Sequence, residues 1–397
     1  MTDRRRTYID IHVLQTVPPS NLNRDDAGSP KQAIYGGARR LRVSSQAWKR
    51  ATRLAFKDEL GIPASQLGTR TKRVSTMLAA RLAERARLTA EDATRLSNAL
   101  LAADLKVAAG KKAEESAYLL FFGRSQLDAI VDLVADRATE LTALADDALT
   151  KAVAELPVRA QLTGKHPIDV ALFGRMVADI PALNVDAATQ VAHALSVHPV
   201  EIEFDYYTAV DDEKSREEDA GAAMIGTVEF TSATLYRFAT LDVHHLAENL
   251  DNDIDATIDA VRAFLRAFVT SMPTGHQNTF AHRTVPSVVS YMVRTDQPVN
   301  LVSAFENPVR SKYGIAAQAA LNLAKEVNRT STSFGLTPMT VSTVWDPTSL
   351  DVIGSEQDRG HVAEATQAFG SACGLDESID ATIAAVRPRL DGSAALR

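Results

Sequence analysis

The chain switches between two hydrophobic periods, and the order of these switches restricts the folds that it can adopt. Residues 7–14, "TYIDIHVL", carry apolar side chains at every second position, which predicts a strand. Residues 45–60 and 254–271 repeat their apolar side chains with a helical period, and residues 287–295, "SVVSYMVRT", have a strand-like composition. The sequence therefore predicts a fold that mixes helices with strands.

Four further segments complete this order. Residues 64–160 are rich in Ala, Leu, Arg and Glu with helical periodicity, and we interpret them as an inserted helical subdomain. Residues 167–176 predict a return to strand, residues 201–230 a hairpin with a charged centre, and residues 231–243 another strand. Without the inserts, the order is strand, helix, strand, strand, helix, strand, which is the ferredoxin-like order of RNA-recognition modules.

Composition excludes several classes of protein. Of the 397 residues, 45% are hydrophobic, which is ordinary for a soluble globular protein. The single cysteine, Cys373, excludes a disulfide framework and a Cys-rich zinc site, and it fits a reducing cytosol. No targeting segment or membrane-length apolar run is visible, so we expect a cytoplasmic protein without a membrane partner.

Signatures of common catalytic sites are missing from the sequence. It contains no Walker A sequence, G-x-S-x-G elbow, H-E-x-x-H motif or Rossmann glycine fingerprint. The nine histidines lack a spacing typical of metal ligands. We therefore expect no catalytic residue, no metal and no cofactor.

Positive charge is concentrated in one stretch of an otherwise acidic chain. The formal net charge is −7, yet residues 39–53, "RRLRVSSQAWKRATR", contain six basic residues and no acid. From Ala27 to Lys57 there are eight Lys or Arg and still no Asp or Glu. Clustered cations of this kind are what phosphate contacts require, whatever the net charge of the whole chain.

The predicted helix over residues 45–60 would place its charges on one side. Trp48, Ala51 and Ala55 fall on the apolar side, and Ser44 or Ser45 can cap a helix start whose free N–H groups attract anions. The opposite sector holds Gln46, Lys49, Arg50, Arg53 and Lys57. Two interpretations remain open, a phosphate-binding face and an ordinary solvated face, although solvated faces usually mix both signs.

The segment before this helix, residues 15–38, is predicted to be a long irregular loop. Its Arg24 and Lys31 could extend a phosphate-binding surface. Asp25 and Asp26 are typical turn residues, but an adjacent pair of carboxylates could also bind a divalent metal for nuclease chemistry. Both interpretations of the pair are kept.

The predicted hairpin carries two adjacent aromatic residues, Tyr206 and Tyr207. Neighbouring residues of a strand point to opposite faces, so one tyrosine can pack while the other stacks on a base. Packing within the hairpin is the alternative for both rings. The centre of the hairpin, residues 211–219 or "DDEKSREED", would repel nucleic acid, so any contact with RNA is expected from the arms.

Several long stretches resemble one family, in the same order and over essentially the whole chain. Residues 18–51 closely resemble the N-terminal region of CasC, the backbone subunit of the type I-E CRISPR Cascade complex. The later stretches "DVALFGRM", "DYYTAVDD" and "IGTVEFTSATLYRFA" resemble further landmarks of the CasC family. The resemblance implies an α+β fold with a ferredoxin-like, RNA-recognition-like palm, an inserted helical fingers domain and a β-hairpin thumb.

The resemblance also implies domain boundaries and partners. The palm would comprise residues 1–62, 166–200 and 228–397, the last with a C-terminal extension, the fingers residues 63–165 and the thumb residues 201–227. Several copies would bind CRISPR RNA (crRNA) side by side as a homo-oligomeric filament in a ribonucleoprotein for antiviral defence. The guide would pair with a target DNA strand, beside the large, small, CasD and CasE subunits, and a separate enzyme would cut the target.

Binding residues follow by matching positions to the family. The crRNA-binding residues implied are Arg24, Lys31, Ser44, Gln46, Lys49, Arg53, Met176, Tyr206, Tyr207 and Thr208. A family member has Trp and Phe where this chain has its two tyrosines, so stacking is retained while polar contacts can differ. The acidic centre of the hairpin is a second departure. The roles of four further cations stay undecided between RNA, neighbouring subunits and solvent: Arg39, Arg40, Arg42 and Arg50.

Two other functions compete with this one. Some backbone subunits of other CRISPR types cleave target RNA with an Asp in the loop after the first strand, where Asp25 and Asp26 lie here. A protein-only scaffold, whose basic face docks an acidic partner, is the other alternative. Sequence-independent binding of crRNA without enzymatic activity is the function that the sequence favours.

Overall fold

The computed structural model describes residues 6–105, 119–178, 180–209, 224–312, 314–353 and 360–392. The strands are β1 (Tyr8–Ser20), β2 (Gln32–Tyr35), β3 (Ala38–Val43), β4 (Gly68–Thr71), β5 (Leu120–Gly123), β6 (Thr189–Val191), β7 (Ala194–Ser196), β8 (Glu203–Ala209), β9 (Met224–Asp242), β10 (Val288–Arg294) and β11 (Thr340–Val344).

The helices follow in the same way. They are α1 (Ser45–Asp58), α2 (Val74–Arg85), α3 (Ala90–Leu105), α4 (Arg124–Asp132), α5 (Ala138–Thr142), α6 (Asp146–Ala154), α7 (Ala160–Thr163), α8 (Ile168–Phe173), α9 (Val243–Asn249), α10 (Ile254–Thr270), α11 (Gln277–Phe280), α12 (Ile315–Phe334), α13 (Gly360–Phe369) and α14 (Leu375–Leu390). Short 3₁₀ helices cover Ala135–Arg137, Pro181–Leu183, Val302–Phe305 and Pro347–Ile353. No helix of the described residues is both long and apolar enough to cross a bilayer.

The described residues divide into two compact units. The first unit is drawn from Met1–Ala55, Gln190–Leu241 and Arg262–Arg397. The second unit is drawn from Phe56–Thr189 and Asp242–Val261. Each unit is therefore assembled from segments that are distant in sequence.

One large sheet forms the centre of the first unit. Its strand order is β11-β10-β1-β9-β7-β3-β2, with β6 and β8 also paired to β9. β1 and β10 pair antiparallel from Tyr8–Arg294 to Leu14–Val288, and β7 pairs antiparallel with β9. This antiparallel sheet with its helices confirms the predicted α+β class. The helices predicted over 45–60 and 254–271 are confirmed as α1 and α10.

β1 is buried on both of its faces, so its polar residues need partners inside the protein. Asp10 Oδ2 accepts a hydrogen bond from the Val299 N–H at 2.8 Å and lies 3.0 Å from Arg294 Nε. His12 Nδ1 lies 2.9 Å from Tyr236 Oη. Burial raises the pKa of Asp10 to about 6 and lowers the pKa of His12 to about 3. The second face of the strand is thus a polar layer within the core.

The prediction of a long irregular loop over residues 15–38 is wrong. β1 continues to Ser20 and β2 begins at Gln32, which leaves a connection of residues 21–31. Two prolines, Pro18 and Pro19, suggested a break because proline lacks the N–H that a strand uses. The two prolines lie beyond Leu14, where the pairing of β1 with β10 ends. The N–H groups that they lack are therefore not needed for pairing with β10.

The prediction of a strand over residues 167–176 is also wrong. Residues 168–173 form the helix α8, which follows Pro167 and ends at Gly174, whose φ is +75°. Asp169 is buried near the start of this helix, and its Oδ1 accepts a hydrogen bond from the Gly68 N–H at 2.7 Å. A run of six residues is too short for hydrophobic period alone to separate helix from strand.

Candidate nucleic-acid interface

The start of α1 is held by two polar side chains. Ser44 Oγ accepts a hydrogen bond from the Ala47 N–H at 3.3 Å, so Ser44 is the cap of the helix. The Ser44 N–H itself donates to Asn23 Oδ1 at 2.9 Å, which ties the helix to the connection after β1. Ser44 is largely buried, and its hydroxyl and N–H both have partners within the protein, so its visible role is to fix the start of α1.

The apolar side of α1 is anchored in the first unit by an unusual contact. Trp48 is buried, and the guanidinium carbon of Arg237 lies 3.7 Å from the centroid of the indole rings. Arg237 also donates to Gln15 Oε1 at 2.6 Å. Its guanidinium carbon lies 4.7 Å from the ring centroid of Phe268, a residue of α10. Burial lowers the pKa of Arg237 to about 9, which still leaves the group charged near neutral pH. The rotation of α1 about its axis is thereby fixed.

The opposite side of α1 is the basic face, which we define as Gln46, Lys49, Arg50, Arg53 and Lys57. Three members, Gln46, Arg50 and Lys57, are exposed, and the other two are half-buried. Partial burial lowers the pKa of Lys49, as expected when an ammonium loses part of its hydration. The basic face therefore points outward, while the opposite side of α1 is packed in the first unit through Trp48.

His193 joins this end of α1, although no sequence pattern pointed to it. The Ser45 N–H donates to His193 Nδ1 at 3.2 Å, and Arg42 Nη1 lies 3.5 Å from the same nitrogen. Burial, then the nearby charges of Arg42 and Lys31, lower the pKa of this histidine. Lys31, Arg42 and the start of α1 are thus neighbours around one neutral imidazole.

The connection after β1 contains Arg24 and the two aspartates. Asp25 Oδ1 accepts hydrogen bonds from the Ala27 and Ser29 N–H groups at 2.9 and 3.0 Å, which is the geometry of an Asx turn. Both aspartates line a cleft of about 480 Å³, together with Arg24 and Gly275. Within the described residues, no three His, Cys, Asp or Glu side chains are grouped so that they could hold a metal ion.

The arms of the predicted hairpin are β8 and the first half of β9. Tyr207 lies opposite Gly226, and its ring covers that glycine so closely that a Cβ there would lie 2.4 Å from Tyr207 Oη. Tyr206 is 62% exposed and shares its face with Phe204, which is 66% exposed. Thr208 is also exposed on that face. The acidic centre over 211–219 lies outside the described residues.

Met176 belongs to the second unit, and its side chain is 85% exposed. The preceding residue, Arg175, is buried, and its guanidinium donates to the backbone carbonyls of Leu183, Phe121 and Leu162 at 2.6, 3.2 and 2.8 Å. Burial lowers the pKa of Arg175 to about 10. The outward position of Met176 is therefore fixed by its neighbour.

The four undecided arginines differ in their surroundings. Arg40 is fully buried, and its guanidinium donates to the carbonyls of Tyr35, Ser196 and Phe305 at 3.2, 2.9 and 2.9 Å, so it is structural. Arg42 is half-buried and donates to the Gln32 carbonyl at 3.3 Å. Arg39 and Arg50 are exposed.

The chain is similar to two proteins of known structure. A chain of a "CRISPR RNA-guided surveillance complex, pre-nicking" is 32% identical over 95% of this chain and 99% of that one, with a TM-score of 0.78. A chain of a "CRISPR RNA-guided surveillance complex" is 27% identical over the same shares, with a TM-score of 0.69. No curated protein sequence matches.

The sequence also fits a model of one protein family. The match covers residues 9–367 and therefore includes all of β1 but its first residue, together with α1, the hairpin arms and α12. The chain belongs to the CT1975-like protein family.

Proposed function

We propose that this chain is the crRNA-binding backbone subunit of a type I-E Cascade complex, equivalent to CasC. The family membership and the two similar chains support a subunit of a CRISPR RNA-guided surveillance complex. The long stretches that resemble CasC support the finer assignment. Several copies would lie side by side on one crRNA, with the guide left free to pair with target DNA.

The proposed palm, residues 1–62, 166–200 and 228–397, contains a ferredoxin-like succession of elements. β1, α1, β7, β9, α10 and β10 follow the order strand, helix, strand, strand, helix, strand, and their strands are neighbours in the order β10-β1-β9-β7. The fingers would be residues 63–165 and the thumb residues 201–227. These assignments leave α1 and its basic face as part of the palm.

The basic face of α1 is the observation that carries the proposal. A subunit that accepts any guide should bind phosphates and leave the sequence to base pairing. Five polar or cationic side chains on one side of a helix, without an acid until Asp58, suit phosphates and offer no pattern for reading bases. At the same end of the helix, the Ser45 and Ala47 N–H groups already donate to His193 Nδ1 and Ser44 Oγ, so the proposed phosphate contacts come from the side chains of the basic face.

A modest affinity of each copy for RNA would be sufficient for assembly. Neighbouring copies on one crRNA raise each other's effective concentration, so avidity replaces strong single-site binding. The large, small, CasD and CasE subunits would complete the complex in the cytoplasm. No membrane partner is proposed.

Charge reversal on the basic face tests the central claim. We expect Lys49→Glu with Arg53→Glu to abolish RNA-dependent oligomerisation, because two phosphate contacts become repulsive. The measurement is co-purification of full-length crRNA and of the other subunits with tagged protein. Thermal unfolding of the free variant should stay close to that of the wild type, since neither side chain is in the core.

A matched control reverses two exposed charges elsewhere. Arg124→Glu with Lys151→Glu changes the net charge equally but leaves α1 untouched, and it should assemble normally. The central claim is wrong if the α1 double variant still carries full-length crRNA in a normal complex. A protein-only scaffold, in contrast, would purify without absorbance from bound RNA at 260 nm.

The proposed subunit has no enzymatic step of its own. The carboxylate of Asp25 accepts two backbone N–H groups of its own turn, which supports the turn interpretation of this residue. The assembled complex should leave complementary RNA intact in the presence of Mg²⁺. Regularly spaced cuts that disappear in Asp25→Ala or Asp26→Ala would instead establish a nuclease.

A further inference from the structure

We infer that His276 is a positioning residue for the Arg24 guanidinium, holding it in the orientation in which it meets a phosphate of the RNA. Arg24 Nη1 lies 2.7 Å from His276 Nε2, and the two residues are 252 positions apart in the chain. This inference rests on the proposed function, because it takes Arg24 to contact RNA. It assigns a role to a histidine that no motif marked.

The hydrogen bond fixes the state of the histidine. A guanidinium can only donate, so His276 Nε2 must offer its lone pair and the ring must be neutral with its proton on Nδ1. Partial burial and the charge of Arg24 lower the pKa of His276, in agreement with this state. The neutral ring orients the cation but leaves its positive charge available, whereas a carboxylate in the same place would neutralise it.

The backbone around His276 brings the two side chains together. Gly275 packs so tightly against the connection after β1 that a Cβ would lie 2.5 Å from the carbonyl oxygens of Asn21 and Leu22. The backbone of His276 has a left-handed conformation, with φ of 50°. Its carbonyl oxygen accepts hydrogen bonds from the N–H groups of Thr279 and Phe280, both at 3.1 Å. The histidine is therefore presented from a fixed turn.

Holding Arg24 in place should strengthen binding through a lower entropic cost. An exposed arginine samples many rotamers, and immobilising such a side chain on binding costs about 0.5–1.5 kcal/mol. If His276 has already restricted the side chain, most of that cost is absent. Loss of the acceptor should then weaken RNA binding about 3- to 10-fold.

Three substitutions separate the side-chain role from a backbone role. His276→Gln keeps an acceptor of similar reach, and His276→Ala removes it. His276→Gly also removes it but suits the left-handed backbone better than any other residue. The probe is a fluorescently labelled single-stranded RNA of mixed sequence, titrated with the full chain at several salt concentrations.

We expect His276→Gln to bind like the wild type, and His276→Ala and His276→Gly to lose affinity to the same extent. Each phosphate contact contributes about 0.7 to the slope of log affinity against log salt for single strands. In His276→Ala the Arg24 cation is still present and still meets its phosphate, so the slope should stay at the wild-type value while the affinity falls, whereas Arg24→Ala should reduce the slope by about 0.7. The double variant should bind no more weakly than Arg24→Ala alone.

Two results would overturn the inference. His276→Gly binding like the wild type would show that only the turn matters, and additive losses in the double variant would show that His276 acts without Arg24. If Arg24→Ala binds normally while the Lys49→Glu and Arg53→Glu variant does not, the positioning role fails and the proposed function stands. If none of these variants changes RNA binding, the proposed function fails as well.

Discussion

Tyr206 and Tyr207 are neighbours in sequence but have different surroundings, and the difference lies in one glycine. The ring of Tyr207 covers Gly226, its cross-strand partner. It packs where the glycine has no side chain of its own to stabilise the pairing of β8 with β9. Tyr206 lies opposite Thr227 and exposes most of its ring. Tyr206, 62% exposed against 41% for Tyr207, is therefore the better placed of the two for stacking on a base.

We expect Tyr206→Ala to weaken RNA binding by about 1–3 kcal/mol, the range for loss of one base–aromatic stack. Tyr206→Phe should retain most of the affinity, because the ring rather than the hydroxyl makes the stack. Tyr207→Ala should affect the stability of the hairpin more than RNA binding. A larger loss of affinity in Tyr207→Ala than in Tyr206→Ala would contradict this assignment.

Arg40 shows how a cation in a basic stretch can be structural. Its guanidinium satisfies carbonyl groups of β2, β7 and the segment at Phe305, all within the core of the first unit. Arg40→Ala should lower the free energy of unfolding by on the order of 3 kcal/mol, because those buried carbonyls lose their donor. The adjacent and exposed Arg39→Ala should change it by less than about 0.5 kcal/mol. Urea unfolding of both variants compares them, and equal midpoints would contradict the structural role.

At the scale of elements, α1 combines what its sequence could predict with what it could not. Helical period alone separated Trp48, Ala51 and Ala55 from the basic side, and the structure confirms that these three residues are buried. Ser44, one of two candidate caps, is the residue that caps the helix. Local patterns succeed here because i, i+3 and i+4 neighbours decide which side of a helix packs.

The contacts that hold α1 in place were beyond any local pattern. Arg237, which stacks on Trp48, and His193, which accepts the Ser45 N–H, are far from α1 in sequence and are brought to it by the sheet. His276 reaches Arg24 in the same way. The strand predicted over 167–176 failed because the six-residue run is too short for its period to separate helix from strand, and the contact of α8 with Gly68 through Asp169 is likewise distant in sequence.

The stacking of Arg237 on Trp48 makes a prediction for the whole helix. Trp48→Ala should lower the free energy of unfolding by about 3–5 kcal/mol, the usual cost of removing a large buried aromatic side chain. It would also leave the Arg237 guanidinium without the ring that covers it. Trp48→Phe should cost less, since a ring remains over the cation. Urea unfolding measures both, and a Trp48→Ala variant as stable as Trp48→Phe would contradict the anchoring role.

At the scale of the molecule, the polar layer on β1 links the stability of the fold to pH. His12 is fully buried beside Tyr236, and the Tyr236 hydroxyl accepts the Leu301 N–H at 3.1 Å. His12 Nδ1 and the Tyr236 hydroxyl share a hydrogen bond of 2.9 Å, and the histidine is neutral near pH 7 because burial disfavours its charged form. Arg294, the buried partner of Asp10, adds to the cost of charging this ring, after burial itself.

The sign of the effect follows from the two pKa values of His12. Its pKa is about 3 in the folded chain against 6.5 when exposed, so between these values the unfolded chain binds a proton that the folded chain does not. Lowering the pH from 6.5 therefore favours unfolding, by up to about 1.4 kcal/mol per pH unit. The raised pKa of Asp10, about 6, acts in the opposite direction between pH 6 and 4, because there the folded chain binds the extra proton.

Replacing His12 with a neutral acceptor separates these opposing contributions. His12→Gln cannot be protonated, so only the Asp10 contribution remains in this layer, and the ratio of stability at pH 4.5 to that at pH 7 should rise relative to the wild type. Urea midpoints at the two pH values measure this, with the wild type and a variant of a half-buried histidine outside this layer, His361→Gln, as controls. If His12→Gln shows the same loss on acidification as the wild type, the proton that destabilises the fold enters elsewhere. If the loss disappears, a single buried imidazole sets the acid limit of the sheet that carries α1 and the hairpin arms.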